Sequence, residues 1–310
     1  MILVIGDIML DRYFWGEVTR ISPEAPVPIV KVTDITYSLG GAANVAANLI
    51  GMGEEVVTIG VVGRDKSADI LIKLMREQGI TDYTIVENNR PTTVKTRVIA
   101  STQQLLRIDH EETKFLYKRS LNKMDNYIRK VLPKCKAIII SDYGKGVVSY
   151  DLLDFLMISE KVDIPIFVDP KGIDWSLYDS VFCVTPNLKE FLTYYYSAYP
   201  YRNIANEQEL RRAAQETADE LSLNYLVVTR GADGMLVVPN SDNKSLVYQA
   251  SVEHVEEVRD VSGAGDTVIA ALACKIANGA DMFEAANFAN KMASIVVSRL
   301  GTSPIKKEEV

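Results

Sequence analysis

The stretch Asp260–Ala273 reads Asp-Val-Ser-Gly-Ala-Gly-Asp-Thr-Val-Ile-Ala-Ala-Leu-Ala. An aspartate follows two glycines that flank an alanine, and from Thr267 onward a small apolar run predicts a helix of roughly three turns. A helix start leaves backbone N–H groups unpaired and carries the positive end of the helix dipole, so an anion can rest there. Gly263 and Gly265 let the backbone come close to a phosphoryl group, which makes Gly263, Ala264 and Gly265 a candidate anion hole. Asp266 is the candidate base beside it. A carboxylate in that place can take a proton from a hydroxyl while the amides hold the charge gathering on a transferred group. The same residues also fit a glycine-rich helix cap with an ordinary N-terminal aspartate.

Further polar residues recur where buried strands should end. Met1–Ile5 is a continuous apolar run followed by Gly6-Asp7, the pattern of a strand covered on both faces. Ligands of open parallel sheets sit outside the carboxyl ends of strands, so Asp7 and Asp11 are candidates for sugar hydroxyls, with a turn-capping role as the alternative for Asp7. Asp142-Tyr-Gly-Lys145, Asp169-Pro-Lys-Gly172, Pro186-Asn187-Leu-Lys-Glu190 and Thr229-Arg-Gly-Ala-Asp-Gly234 each follow an expected strand. Asn187 and Glu190 are three apart at a helix start, where Glu190 can hold magnesium through its waters or simply complete a capping box. Thr229 and Gly231 are placed to meet a nucleotide phosphate. Asn290, on a small-residue helix expected over Met282–Arg299, either lines an adenine slot or is internally satisfied.

The elements that must carry these residues alternate regularly. Strands are expected at Val56–Val62, Ala137–Ser141, Ile166–Asp169, Val181–Thr185 and Tyr225–Val228, with helices at Ser67–Gln78, Tyr117–Leu132 and Tyr150–Glu160. That order implies an α/β fold with a mostly parallel central sheet and helices on both faces. Residues of about 12–36 and 82–109 instead alternate as short strands and predict a small β-sheet lid on a single domain of residues 1–310. Lys95, Arg97 and Arg107 are polar alternates of that lid, able to close on an anionic substrate or to lie on solvated strand faces. Open lid edges offer a dimer surface. Gly40-Gly41 opens a helix on which Asn44 and Asn48 share a face, and both must be satisfied internally or by ligand hydroxyls. The tyrosines at 194–196, 199 and 201 suggest a surface loop or a subunit contact.

Composition narrows the function. A net charge of −7 lacks the basic face that nucleic acid requires. Three scattered cysteines and two histidines supply neither a disulfide framework nor a zinc or triad site. No apolar run is long enough to span a bilayer, and Met1–Ile5 starts the fold without a leader, so a cytoplasmic protein is expected. A dinucleotide-dependent dehydrogenase is discarded, because Gly6-Asp-Ile-Met-Leu-Asp11 has one glycine where that fold needs GxGxxG.

Gly40-Gly41, Asn44, Ala46, Gly53 and Gly63, taken with Asp260–Ala273, resemble the paired signatures of the ribokinase (PfkB) family of carbohydrate kinases. Five further segments are similar to its heptose kinase branch: Arg20-Ile-Ser-Pro-Glu-Ala-Pro-Val-Pro, Gln103-Gln-Leu-Leu-Arg-Ile-Asp109, Ser141-Asp-Tyr-Gly-Lys-Gly146, Asp169-Pro-Lys-Gly172 and Leu300-Gly-Thr-Ser303. The resemblance implies a ribokinase-like fold. It also implies ATP-dependent phosphorylation of D-glycero-β-D-manno-heptose 7-phosphate at O1, on the route to ADP-heptose for lipopolysaccharide. Many relatives carry a nucleotidyltransferase domain on the same chain, and a chain of this length resembles the stand-alone kinase. By the same resemblance Asp266 is the base, and Asp7, Asp11, Gly40, Gly41, Asn44 and Asp142 hold the sugar. Lys95, Arg97, Arg107 and Lys171 clamp its phosphate; Asn187 and Glu190 meet ATP and magnesium; Thr229, Gly231 and Asn290 meet the nucleotide; Asp260 and Ser262 order a potassium ion. Ser262, where relatives often have threonine, and Gly144, where many have alanine, depart mildly, and the tyrosine-rich stretch departs more. A kinase for another sugar phosphate, or a non-catalytic sugar or nucleotide sensor, shares most of these features.

Overall fold

Every position of β1 (Ile2–Gly6) is buried, and because successive side chains of a strand point to opposite faces, Ile2 and Val4 enter one core and Leu3 and Ile5 another. A strand with no wet face belongs inside a sheet that is covered on both sides. The computed structural model describes residues 1–101, 103–159, 164–242, 247–250, 260–299 and 301–310; Glu160, His254 and Leu300 lie outside the described residues. In it, β1 runs parallel between β4 (Val56–Ile59) and β10 (Ala137–Ser141).

The large sheet continues from β10 through β11 (Ile166–Asp169) and β12 (Cys183–Val184) to β13 (Tyr225–Thr229), all parallel. It then ends in the antiparallel strands β14 (Met235–Pro239) and β15 (Tyr248–Ala250), an edge that the alternating pattern did not reveal. On the other side β6 (Thr81–Asp82) pairs with β4. One face is covered by α1 (Ala42–Gly51), α2 (Lys66–Glu77), α7 (Ala264–Ala277) and α8 (Met282–Val297). The other is covered by α3 (Lys118–Val131), α4 (Tyr150–Ser159), α5 (Leu188–Ala198) and α6 (Glu207–Glu220).

The second sheet has the order β3-β2-β8-β9, from β2 (Ile8–Ile21), β3 (Pro28–Gly41), β8 (Val94–Ala100) and β9 (Gln103–His110). Its hairpin is longer than expected: β2 leaves the end of β1 with only Asp7 between, and β3 returns in register to Gly41 opposite Ile8. The expected lower bound of 82 for the second lid segment is corrected, since Thr81–Asp82 belongs to the large sheet. The strand expected over Val56–Val62 breaks at Gly60, where a Cβ would meet Ile8 at 2.7 Å, and the chain goes on as β5 (Val61–Val62) beside β7 (Ile85–Val86).

The tyrosine-rich stretch is mostly helical. Tyr194 and Tyr195 lie on the buried face of α5, with Tyr194 stacked on Trp175 at 4.2 Å and Tyr195 donating to Glu216 of α6; Tyr199 caps the helix. Tyr201 alone is fully exposed.

The C-terminal segment crosses the end of α1, where a Cβ on Gly51 would lie 1.8 Å from the Ile305 carbonyl oxygen. Alanine is intrinsically the better helix residue, but this contact is with backbone. Gly51→Ala should therefore destabilise the fold by about 1–3 kcal/mol, read as a lower urea midpoint; an unchanged or higher midpoint would refute the packing at this joint.

Candidate active site

Helix α7 starts one residue after a left-handed glycine, Gly263 at φ 82°. A Cβ there would also sit 2.8 Å from Asn44 Nδ2, so conformation and crowding both call for glycine. The helix begins at Ala264, three residues earlier than the apolar run suggests, and Asp266 occupies its first turn. Among the described residues the amides of Gly263, Gly265 and Asp266 find no partner, whereas Ala264 donates to the Val261 carbonyl at 3.2 Å. The expected anion hole is thus corrected. Ala264 closes the turn, and the open donors are its neighbours. A Cβ on Gly265 would meet nothing within 4 Å, so no protein neighbour explains that glycine.

The carboxylate of Asp266 is 3 % exposed and held from two sides. Asn44 Nδ2 donates to Oδ2 at 2.7 Å, and the Tyr143 hydroxyl donates to Oδ1 at 2.8 Å. Burial pushes its pKa up to about 7, the two donors pull down, and the charge of Asp11 pushes up further. Asp169, at the end of β11, is displaced well above the usual carboxylate range by burial and then by Asp266 and Glu190. No hydrogen bond to its carboxylate is present among the described residues.

Asp7 lies between the two sheets. Its Oδ2 accepts the amides of Tyr143 at 2.8 Å and Lys145 at 3.0 Å, while Oδ1 is buried without a partner. Burial raises its pKa to about 6 against those amides. Asn44 Oδ1 is likewise buried and unpartnered. Two orphaned acceptors near one carboxylate suit the O–H donors of a polyol. Asn48, on the same helix face, is satisfied internally by the Asn44 carbonyl, the Thr267 hydroxyl and the Ile305 amide.

Several expected ligands also brace the fold. Arg97 is 8 % exposed; it binds Asp11 Oδ1 at 2.6 Å and lies over the Tyr13 ring at 5.4 Å. The Thr302 hydroxyl donates to Asp11 Oδ2 at 2.6 Å, so Arg97 and Asp11 already neutralise each other within the protein. Gly40 and Gly41 are explained by packing, because Cβ atoms there would meet Met9 Cγ at 2.8 Å and the Asp7 carbonyl at 2.3 Å. Asp142 accepts Gly144 N at 2.7 Å and the Tyr178 hydroxyl at 2.8 Å. Lys171 is drawn away from the lid to Glu190, 3.0 Å off.

Asn187 and Glu190 form the capping box of α5, at 2.9 and 3.1 Å, beside the end of β13, where Thr229 N reaches the Pro186 carbonyl at 2.9 Å. Gly231 is left-handed at φ 59° and faces open space. Asn290 donates to the Ala250 carbonyl at 2.9 Å and so fastens β15. Asp260 accepts the amides of Ser262 at 2.8 Å and Gly301 at 3.0 Å, one oxygen serving the loop before α7 and the other the C-terminal turn.

On the lid, Lys95 is half-buried, 4.0 Å from Asp109. Burial lowers its pKa, Asp109 and Glu111 raise it, and Arg107 and Lys145 lower it. Arg107 is the more exposed and forks onto Asp109 at 2.9 Å through both contacts.

The sequence matches the pfkB family carbohydrate kinases over residues 1–308. The chain belongs to that family. Curated relatives include "Bifunctional protein HldE" of Desulfatibacillum aliphaticivorans, 39 % identical over 311 residues, and of Methylobacillus flagellatus, 41 % identical over 312. Each alignment covers all of this chain and 62 % of the relative, so the kinase spans about three-fifths of their length. Among solved structures, phosphofructokinase-2 from Escherichia coli in complex with potassium superposes with a TM-score of 0.81 at 21 % identity, covering 100 % of this chain and 96 % of that one. Ribokinase from Thermotoga maritima gives 0.76 at 23 %, covering 99 % and 97 %. The fold is ribokinase-like. Carbohydrate kinases of this family use ATP with magnesium; among the described residues no three Asp, Glu, His or Cys side chains converge closely enough to hold a metal ion by themselves. Among the described residues no helix is long and apolar enough to cross a membrane.

Sequence reasoning missed Tyr143 and Asp169 as partners of Asp266, although both stand in the strand-end clusters. It also missed Arg90, which is buried against Glu87 and binds the Lys145 carbonyl at 2.7 Å, so fixing the loop that bears Tyr143.

Two outcomes follow. The folded kinase holds the Asp266 proton more tightly than the unfolded chain does, so this group favours the fold fully below pH about 4 and loses that contribution as pH rises through about 7. Asp266→Asn should raise Tm at pH 8 and bring little gain at pH 4; equal shifts at both would contradict the assignment. Arg97→Ala leaves Asp11 buried and uncompensated, and should lower stability by about 3–5 kcal/mol in chemical unfolding, a loss that a solvent-facing clamp residue would not show.

Proposed function

We propose that Asp266 is the general base of this kinase and that its substrate is a sugar already bearing a phosphate, D-glycero-β-D-manno-heptose 7-phosphate, phosphorylated at O1. The observation that carries the reaction is one juxtaposition: a buried carboxylate whose pKa lies near neutrality, the open amides of Gly263, Gly265 and Asp266 at the start of α7, and the orphaned acceptors of Asp7 and Asn44. Asp266 takes the hydroxyl proton as the oxygen attacks in line, and the amides hold charge on the moving phosphoryl group. The acceptors of Asp7 and Asn44 orient the sugar. ATP lies toward Asn187, Glu190, Thr229 and Gly231. Bound magnesium, which Glu190 would hold through water, neutralises phosphate charge.

The choice of sugar rests on the heptose kinase segments and on relatives named HldE. The phosphate of the sugar falls to Lys95 and Arg107 of the lid, with Lys145 opposite, where Lys95 lies 4.0 Å from its nearest carboxylate; Arg97 and Lys171 are the remaining cations of the clamp. The loop from Asp260 to Ser262 remains the candidate for potassium, which the Escherichia coli phosphofructokinase-2 structure contains. The lid leaves Ile21, Val32, Ile35, Leu106 and Ile108 exposed, which supports a homodimer through that sheet. A cytoplasmic setting agrees with the three unpaired cysteines.

Coupled ADP release should be strongest with heptose 7-phosphate in a panel with heptose, fructose 6-phosphate, ribose and adenosine; preference for an unphosphorylated sugar would remove the phosphate subsite. Asp266→Asn should lose about 100- to 10,000-fold in kcat and still bind ATP, and retention of most turnover would exclude it as base. Lys95→Ala should raise KM for the sugar phosphate about tenfold or more, the scale of a charge-assisted hydrogen bond, and spare KM for ATP.

A further inference from the structure

Tyr143 sits in the loop after β10, and its backbone and side chain serve different partners. Its amide donates to Asp7 Oδ2 at 2.8 Å, while its hydroxyl reaches Asp266 Oδ1 at 2.8 Å. Asn44, from α1 on the other side, donates to Oδ2 at 2.7 Å. The carboxylate is therefore gripped by one donor per oxygen, from two elements far apart in sequence. The phenol is partly buried, and desolvation, followed by the charges of Asp266 and Asp169, pushes its pKa well above the usual tyrosine value. It keeps its proton throughout the working range and acts only as a donor. The other acidic groups near Asp266 are Asp11 on β2, which is paired with Arg97, and Asp169 on β11, whose pKa is held well above the usual carboxylate range. Among the described residues neither donates a hydrogen bond to the carboxylate, and Asn44 is a neutral donor.

We propose that Tyr143 is a positioning residue for Asp266: its hydroxyl fixes the orientation of the carboxylate and stabilises its charge, leaving one lone pair of the base directed at the sugar hydroxyl. Because the Tyr143 amide is tied to Asp7, the placement of the base is coupled to the carboxylate that faces the sugar. This inference rests on Asp266 being the base, and the experiment separates the two.

Removing one hydrogen bond to a charged acceptor is expected to move the acid limb of the kcat/KM profile upward by about one pH unit. Tyr143→Phe should thus be about tenfold slower below the limb and almost unchanged above it, with KM for ATP within about twofold of the parent. Replacing Tyr143 with 3,5-difluorotyrosine keeps the ring and the proton and strengthens the donor, so the limb should move downward; this variant also answers if the phenylalanine chain folds poorly. A limb that stays in place in the fluorinated chain, or a loss in Tyr143→Phe that is equal at every pH, overturns the positioning role. If Asp266→Asn keeps most of its turnover, the base itself is misassigned. If Asp266→Asn is inactive and the limb does not move, only the role of Tyr143 fails.

Discussion

A buried carboxylate is costly to keep ionised, and the architecture of the site follows from keeping one. Asp266 is removed from water, which by itself would drive it to the neutral acid. The first turn of α7, the amide of Asn44 and the hydroxyl of Tyr143 oppose that tendency, and the result is a group poised near neutrality instead of far above it. Each of these supports needs its own fixture. Asn44 is positioned by α1, which Gly41 allows to start against the Asp7 carbonyl. Tyr143 is positioned by Asp7, and its loop is held by Arg90. A change that relaxed any of them would raise the pKa of Asp266 further and leave less of it ionised near neutral pH.

The lid shows the complementary rule, that charges on a strand are engaged by the nearest opposite charge the register brings. Arg97 faces Asp11 because β8 runs parallel to β2, with Arg97 beside Tyr13. The same pairing ties Asp11 to Thr302 and so links the base of the lid to the C-terminal turn, whose Gly301 amide is held by Asp260. The loop before α7, the lid and the C-terminal turn are thereby one hydrogen-bonded unit. Lys95 and Arg107, farther along the lid, meet a mixed neighbourhood of Asp109, Glu111 and Lys145, where an added anion would still find positive charge.

Much of the fold was legible because its signals are local. Continuous apolar runs identified β1, β10, β11 and β13, and the alternation of such runs with helices required a mostly parallel sheet. The lid hairpin announced itself by alternation and by Pro23 and Pro26. The antiparallel edge β14–β15 was less legible, since an apolar run carries no direction. The tyrosine stretch misled because aromatic residues serve a core and an interface equally well.

The site divides along the same line. Asp266 beside two glycines could be recognised as a base next to open amides, because helix-terminus chemistry is set within four or five residues. The sequence alone therefore determined the family, the candidate carboxylate at the start of α7 and the strand ends that gather around it. Which cation meets a ligand and which meets a buried aspartate was decided only in the folded chain. Partners such as Arg97 and Asp11, or Tyr143 and Asp266, are far apart in sequence, and electrostatic and hydrogen-bond energies depend on distances that sheet register and strand order create.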